Sequence, residues 1–243
     1  GYISFALFNA GFHPLLTLPL AMILMFGFGW LVYVIIIRRV IDKDMFTSLL
    51  ATFGLSLLMQ QVINLIFGPE VQTVDPDFKI YSAFDDFVTI PSIKILSLVL
   101  AALLALGVVL FMKKSRLGQS IRATAQDPRA ARVMGINTDR VYAITFALNA
   151  AICGATGVLV AMIWVIQPFY GIVYSIRSFA IVTASGLGNL PAVIGAGFGL
   201  GLAEQYTGIV FGAEYQVASA VVLLLLVLMW RQIKLRQKRE VVR

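Results

Sequence analysis

Long apolar runs, separated by short polar segments, dominate this sequence. A helix needs about 20 consecutive apolar residues to cross a bilayer. Five charge-free runs approach or exceed that length: residues 15–37, 45–67, 95–112, 141–166 and 178–203. A shorter run at residues 215–230 is apolar enough to cross a locally thinned bilayer. Because the runs are unbroken, the pattern predicts an all-α, polytopic transmembrane helix bundle.

Basic residues are concentrated in three segments between or after these runs. Most lysines and arginines occur in residues 38–43, 113–140 and 231–243, whereas residues 68–89 hold five acidic side chains and one lysine. Cytoplasmic loops of membrane proteins carry an excess of Lys and Arg. We therefore predict that the three basic segments, including a basic tail at residues 231–243, face the cytoplasm and that residues 68–89 face outward.

The region at residues 178–211 interrupts the simple alternation of crossings. The preceding run is predicted to end outside and the last run to end inside at Trp230, so this region must cross an even number of times or enter and return. Its turn-favouring residues are Gly186, Gly188, Asn189 and Pro191. The sequence therefore predicts two short or broken glycine-rich helices, with the break covered by protein or a cavity.

Composition supports the membrane class and narrows the partners. Of the 243 residues, 60% are hydrophobic and 13% charged, and the mean hydropathy is +0.91. Soluble domains are about 45–50% apolar and about 25% charged. The net charge of +7 lies mainly in the basic loops, so it requires no nucleic-acid partner. The simplest organisation is a single transmembrane domain over residues 1–243.

Side chains for catalysis or metal binding are sparse. His13 is the only histidine and Cys153 the only cysteine, so neither a histidine cluster nor a multi-cysteine metal site can form. The sequence lacks the GxxxxGK[ST] pattern that cradles phosphates, and its scattered serines lack a histidine partner for nucleophilic catalysis. We therefore predict no enzyme activity, no catalytic residues and no metal site.

Several polar side chains lie within the apolar regions, where an unsatisfied polar group is costly. The candidates for a pathway are Gln60, Asn64, Asn149 and Glu204. Two interpretations are open: hydrogen bonds between helices, or the lining of a polar translocation pathway. For Glu204 we expect a cavity, interfacial water or a partner such as Gln205. Arg177 is expected at the outer boundary, where its long side chain reaches water.

The longest charged interval, residues 113–140, contains two predicted helices. The first covers residues 118–125 and the second residues 128–134. Asp127 is expected to cap the second helix, which begins with proline, and Gly135 to end it.

These two helices have faces of different polarity. Ile121 and Ala125 are expected to share one face of the first helix, and Ala131 and Met134 one face of the second, with the arginines elsewhere. A rigid helix-turn-helix on the cytoplasmic side favours the docking of a soluble partner. Binding to anionic lipid head groups is the alternative.

The same residues resemble a known family. The segment GQSIRATAQDPRAARVMGINTDRVYAITFALNAAICGATGVL resembles the signature region of permease subunits of ABC importers of the branched-chain amino acid type. The segment FAIVTASGLGNLPAVIGAGFGLGLAEQ is similar to a second stretch of that family, although Ala192 and Ala196 stand where glycine is usual. The family has an asparagine-phenylalanine-alanine-histidine-glycine motif that would precede Gly1. We therefore expect an N-terminally truncated permease.

The resemblance implies a transmembrane permease subunit of an ATP-driven importer, with half of a translocation pathway for branched-chain amino acids or related small polar solutes. The implied protein partners are ATP-binding subunits, a second homologous permease and a periplasmic solute-binding protein, in the bacterial inner membrane and in contact with membrane lipid. The ATP-binding subunits would bind ATP and Mg²⁺, so no cofactor is expected in this chain. The family's ATPase-coupling contact carries over to Gly118, Ala125, Asp127 and Gly135.

A secondary transporter or channel for a small solute is the alternative function. Such a protein would also be a polytopic bundle with broken glycine-rich helices. It would usually need ionisable coupling residues in its spans, and Glu204 is the only candidate.

Overall fold

The chain forms two compact, mainly helical units. These units are Gly1–Pro168 and Phe169–Arg243. The computed structural model describes residues 1–40, 44–73, 80–83, 88–186 and 190–240. Because most of these residues lie in α-helices, the predicted all-α class is confirmed.

Unit 1 contains eight α-helices in its described residues. They are α1 (Tyr2–Asn9), α2 (Pro14–Val32), α3 (Arg38–Val40), α4 (Met45–Phe67), α5 (Ser92–Lys114), α6 (Arg116–Gln126), α7 (Pro128–Val133) and α8 (Thr138–Ile163). A π-helical turn at Tyr33–Ile37 joins α2 to α3. Four segments are long and apolar enough to cross a membrane: Leu15–Val40, Phe46–Phe67, Ser92–Lys114 and Thr138–Ile163. The prediction of a multi-pass membrane protein is therefore confirmed.

The segment after α4 contains short β-structure. Strand β1 (Ile80–Ala83) pairs with β2 (Val88–Pro91) in antiparallel register. Nearer α4, the Gln72 amide donates to the Ile166 carbonyl at 3.0 Å and the Ile166 amide donates to the Gln72 carbonyl at 2.9 Å. The hairpin was not predicted, because four-residue strands are too short to show a clear alternation. The bridge also explains why α8 ends at Ile163, before the end of its apolar run.

The core of unit 1 lies between α2 and α8. Ala21 of α2 packs against Val158 and Met162 of α8. A methyl group on Gly154 would lie 2.9 Å from the Ala21 carbonyl oxygen, so the absence of a side chain allows the two helices to approach closely. In contrast, α4 exposes large apolar side chains such as Leu65, as expected of a helix that faces lipid.

Unit 2 contains three α-helices in its described residues. They are α9 (Gly171–Ser185), α10 (Leu190–Phe211) and α11 (Gln216–Glu240). Gly186 ends α9 with φ +83°, and Pro191 lies in the first turn of α10, where its missing N–H removes no helical hydrogen bond. The predicted break is therefore confirmed, whereas Gly188 and Asn189 lie outside the described residues, and the covering of the break by protein or a cavity stays a prediction.

The predicted shortness of both broken helices is wrong for α10. This helix has 22 residues, because Pro191 starts it instead of interrupting it. The predicted basic tail continues α11 as far as Glu240.

Candidate functional site

The loop that joins α5 to α8 turns back tightly where α6 begins. The Gly118 amide donates to the Oγ of Ser115 at 2.8 Å, so Ser115 caps α6. A methyl group on Gly118 would lie 2.6 Å from the Met112 carbonyl oxygen and 2.7 Å from the Phe111 carbonyl oxygen. Glycine is therefore required at this position for α6 to lie against the end of α5.

Asp127 is the joint between α6 and α7. Its Oδ1 accepts hydrogen bonds from the amide of Arg129 at 2.8 Å and from the amide of Ala130 at 3.1 Å. These bonds satisfy two amides that have no acceptor within the first turn of α7. The predicted cap is confirmed, and α6 starts slightly earlier than predicted because Ser115 caps it.

Gly135 ends the two-helix segment and starts the turn into α8. Its φ is +83°, a conformation that glycine adopts readily and most other residues avoid. Its amide donates to the Arg132 carbonyl and the Ile136 amide donates to the Ala131 carbonyl, each at 3.0 Å. The Arg132 Nε also donates to the Thr138 Oγ1 at 2.8 Å, which ties α7 to the start of α8.

Val133 and Met134 protrude from the loop. The exposed fractions of these two side chains are 86% and 80%, and both residues follow the basic residues of α7. In contrast, Gly118, Asp127 and Gly135, three of the four predicted coupling residues, set the shape of the loop. Ala131 is only 4% exposed, so the predicted common face of Ala131 and Met134 is wrong. The reason is that α7 ends at Val133 and Met134 already belongs to the turn. Among the predicted residues, Ala125 alone presents an exposed side chain on a helix surface.

The predicted pathway residues of α4 make no hydrogen bond to another helix within the described part of the chain. Gln60 Nε2 donates to the Oγ of Ser56 at 3.3 Å, in the same helix. The Oδ1 of Asn64 is buried without a hydrogen-bond partner among the described residues. The choice between interhelical bonding and pathway lining therefore stays open for Asn64.

Asn149 of α8 lines an apolar cavity of about 490 Å³ in unit 1. The walls include Met22 of α2, Leu104 of α5, Ile121 of α6 and Thr145 of α8. The Thr145 hydroxyl is satisfied, since it donates to a backbone carbonyl of its own helix at 2.7 Å. The Asn149 amide thus places a polar group on a wall that connects the predicted membrane region to α6.

Glu204 has a charged partner that the sequence analysis missed. Arg177 Nε of α9 donates to Glu204 Oε1 of α10 at 2.8 Å, and the two side chains are 22% and 16% exposed. The partner of Glu204 is therefore Arg177 and not Gln205, whereas the expected position of Arg177 at the outer boundary stays a prediction. Opposite charges in apolar helices are stabilised by pairing. The sequence did contain a signal for this pairing, because Arg177 and Glu204 are opposite charges on consecutive apolar segments.

His13 and Cys153 have local environments that do not suggest a metal centre. His13 Nδ1 accepts a hydrogen bond from the Leu15 amide at 3.3 Å and caps α2. Cys153 is a free thiol on α8. Within the described ranges, no group of three His, Cys, Asp or Glu residues is placed to hold a metal ion.

Comparisons with known proteins identify transport permeases. Residues 1–230 match the family described as the permease component of branched-chain amino acid transport systems. The permease LivH of Salmonella typhimurium, named as part of a high-affinity branched-chain amino acid transport system, is 29% identical over 86% of this chain and 70% of its own length. The corresponding permease BraD of Pseudomonas aeruginosa is 30% identical over 88% of this chain and 72% of its own.

A more distant relative extends the likeness to an archaeon. The probable branched-chain amino acid transport permease LivH of Methanocaldococcus jannaschii is 24% identical over 93% of this chain and 75% of its own length. No solved structure shows a significant match to the chain.

Proposed function

The chain belongs to the family of permease components of branched-chain amino acid transport systems, and we propose that it forms half of a translocation pathway for branched-chain amino acids or related small polar solutes. It is a multi-pass transport permease of the ABC importer class and not an enzyme. The names of LivH and BraD support the proposed class of solute.

The observation that carries the coupling role is the rigid loop of α6 and α7. Each of its joints is fixed: Ser115 caps α6, Asp127 caps α7 and Gly135 sets the turn. A soluble subunit that pushes on such a loop moves α5 and α8 with it, because little motion is lost in the joints. The exposed side chains of Val133 and Met134 supply an apolar contact for that subunit.

The proposed partners follow from membership of a multi-component transport system. ATP-binding subunits contact the loop from the cytoplasm, a second homologous permease completes the pathway, and a periplasmic solute-binding protein delivers solute from the other side. The assembly lies in the bacterial inner membrane, surrounded by lipid. ATP and Mg²⁺ belong to the ATP-binding subunits in this proposal, and this chain holds no cofactor.

The alternative of a secondary transporter is weakened by the state of Glu204. Ion coupling would need an ionisable group in a span that can bind and release the driving ion. Glu204 is instead engaged by Arg177 at 2.8 Å. ATP-driven uptake therefore remains the function that the described residues support best.

Substitution of Gly135 tests the coupling role. In Gly135→Leu, a branched side chain must adopt φ +83°, which strains the turn between α7 and α8. We expect uptake to fall at least about tenfold while the assembly still hydrolyses ATP, because a deformed loop no longer transmits the motion. The measurement pairs ATP hydrolysis with solute uptake in vesicles that contain the full assembly.

Gly135→Asn is the matched control. Asparagine tolerates a positive φ far better than leucine does, and a side chain at this position meets nothing within 4 Å, so coupling should be largely retained. Equal uptake in the wild type and in Gly135→Leu would contradict coupling through this loop. If Gly135→Leu binds anionic vesicles less well than the wild type but keeps coupled uptake, the lipid-binding alternative would be supported.

A further inference from the structure

The ion pair of unit 2 leaves polar atoms unused. The hydrogen bond between the two side chains runs from the Nε of Arg177 to the Oε1 of Glu204. A guanidinium and a carboxylate often form two parallel hydrogen bonds, yet here the terminal nitrogens of Arg177 and the Oε2 of Glu204 have no hydrogen-bond partner among the described residues. The pair therefore presents unused donors beside an unused anionic acceptor.

We propose that Arg177 and Glu204 form a recognition site for the charged groups of a zwitterionic α-amino acid. The carboxylate of the solute accepts hydrogen bonds from the terminal nitrogens of Arg177, and its ammonium group donates to Oε2 of Glu204. This inference rests on the proposed transport function and adds a solute site to it.

The charges of the pair suit a zwitterion better than a singly charged ion. In the absence of solute, each side chain is neutralised by the other at 2.8 Å, so a lone cation or anion finds a competing charge of its own sign beside its partner. A zwitterion satisfies both groups at once, because its two charges lie next to each other as the two side chains do. The site therefore discriminates by the presence of both charges.

Two tyrosines give the site an apolar side. The Tyr174 ring centroid lies 5.5 Å from the guanidinium carbon of Arg177, which holds the arginine by a cation–π contact. The ring of Tyr170 lies 5.4 Å from that of Tyr174, centroid to centroid. An aliphatic solute side chain can pack on these rings while its charged groups meet the ion pair.

The position of the pair fits a solute delivered from outside. Arg177 lies about two turns after the start of α9, and Glu204 lies about two turns before the end of α10. In the predicted topology both of these helix ends are external. Both side chains keep part of their surface exposed, at 22% and 16%, so a small solute can reach them.

Direct binding of L-leucine to the full chain tests the proposal. The chain is placed in lipid nanodiscs, and saturation-transfer difference NMR measures contact with millimolar L-leucine, which needs neither ATP nor partner subunits. We expect a leucine signal at least fivefold stronger than those of 4-methylpentanoate and 3-methylbutylamine, which lack the ammonium and the carboxylate respectively. Equal signals for all three compounds would overturn the proposal.

Variants of the ion pair distinguish solute recognition from a purely structural role. The double variant Arg177→Gln with Glu204→Gln leaves no unpaired charge and should reduce the leucine signal at least tenfold. Arg177→Lys keeps the charge but loses the planar fork, and should reduce it severalfold in a chain that keeps its ion pair. Glu214→Gln, which neutralises another carboxylate of unit 2, is the control and should leave the signal unchanged.

The outcomes decide the proposal and keep it distinct from the coupling role. A leucine signal per folded protein that is unchanged in the double variant or in Arg177→Lys overturns recognition and assigns the pair to structure alone. Leucine binding without ATP-driven uptake by the assembly would contradict the proposed function while leaving the recognition site standing. Normal uptake by the assembly, with no leucine signal from the wild-type chain, would contradict the recognition site and leave the proposed function standing.

Discussion

Two glycines of the loop of α6 and α7 are required for different physical reasons. Gly118 is buried against the carbonyls of Met112 and Phe111, so space is the constraint there. Gly135 has open space around it, and its φ of +83° is the constraint. Both were predicted as coupling residues, but sequence alone could not separate a close approach from a positive φ.

At Gly118, even one added methyl group should be harmful. The Cβ of Gly118→Ala would meet backbone atoms, which cannot move aside as a flexible side chain can. We expect a loss of about 1–3 kcal/mol in the free energy of unfolding, the typical cost of overpacking, measured by denaturation in detergent. Gly107→Ala on α5, where nothing lies within 4 Å, is the control and should be neutral or slightly stabilising. Equal stability of the two variants would contradict the close-packing argument.

Val133 and Met134 should carry the contact with the ATP-binding subunits. Changing either residue to aspartate places a charge where we propose an apolar contact, so association with those subunits should weaken at least about tenfold. Their high exposure means that the fold of the isolated chain should be little affected. Co-purification of the assembly measures the effect, with Gln119→Asp, an exposed position on α6, as the control. Unchanged co-purification of both aspartate variants would exclude this contact.

At the scale of elements, helix caps could be predicted from the sequence, whereas the exposure of individual side chains could not. Asp127 followed by proline, and Gly135 a short helix later, predicted two helices and their joint correctly. The exposure of Met134 was missed, because it depends on whether α7 ends one residue earlier or later. Helix periodicity does not resolve a helix end to one residue.

The Asp127 cap makes a specific prediction for α7. Asp127→Ala removes the acceptor of the Arg129 and Ala130 amides, which should destabilise this short helix by about 1 kcal/mol. Hydrogen exchange at those two amides should accelerate several-fold. Asp127→Asn keeps a side-chain oxygen and should preserve most of the protection. Equal protection in the alanine and asparagine variants would show that the cap contributes nothing.

In the helix pair of unit 2, too, the helix ends could be predicted from the sequence and the contacts of the side chains could not. The break was predicted because Gly186 and Pro191 have local, single-residue reasons to stop and start a helix. The pairing of Arg177 with Glu204 was missed, because it depends on how α9 and α10 are rotated against each other. That rotation is set by packing between helices and leaves little trace in a single sequence.

At the scale of the whole molecule, the four long spans could be predicted because each is a continuous apolar run, and bilayer thickness sets its length. The β-hairpin and the Gln72–Ile166 bridge could not, since they form in segments without a strong pattern. That the whole chain acts as a single permease domain stays a prediction. The orientation in the membrane also stays a prediction, and it underlies both the coupling role and the solute site.

Cysteine labelling can establish that orientation. In a Cys153→Ala background, which removes the only native thiol, single cysteines replace Asp85 in the acidic segment and Arg122 on α6. The asymmetry of Lys and Arg places Asp85 outside and Arg122 in the cytoplasm. A membrane-impermeant maleimide added to spheroplasts should therefore label Asp85→Cys, and should label Arg122→Cys only after the membrane is permeabilised. Labelling of Arg122→Cys but not Asp85→Cys in intact spheroplasts would invert the topology. The loop of α6 and α7 would then face away from any ATP-binding subunit, and coupling through it would be impossible.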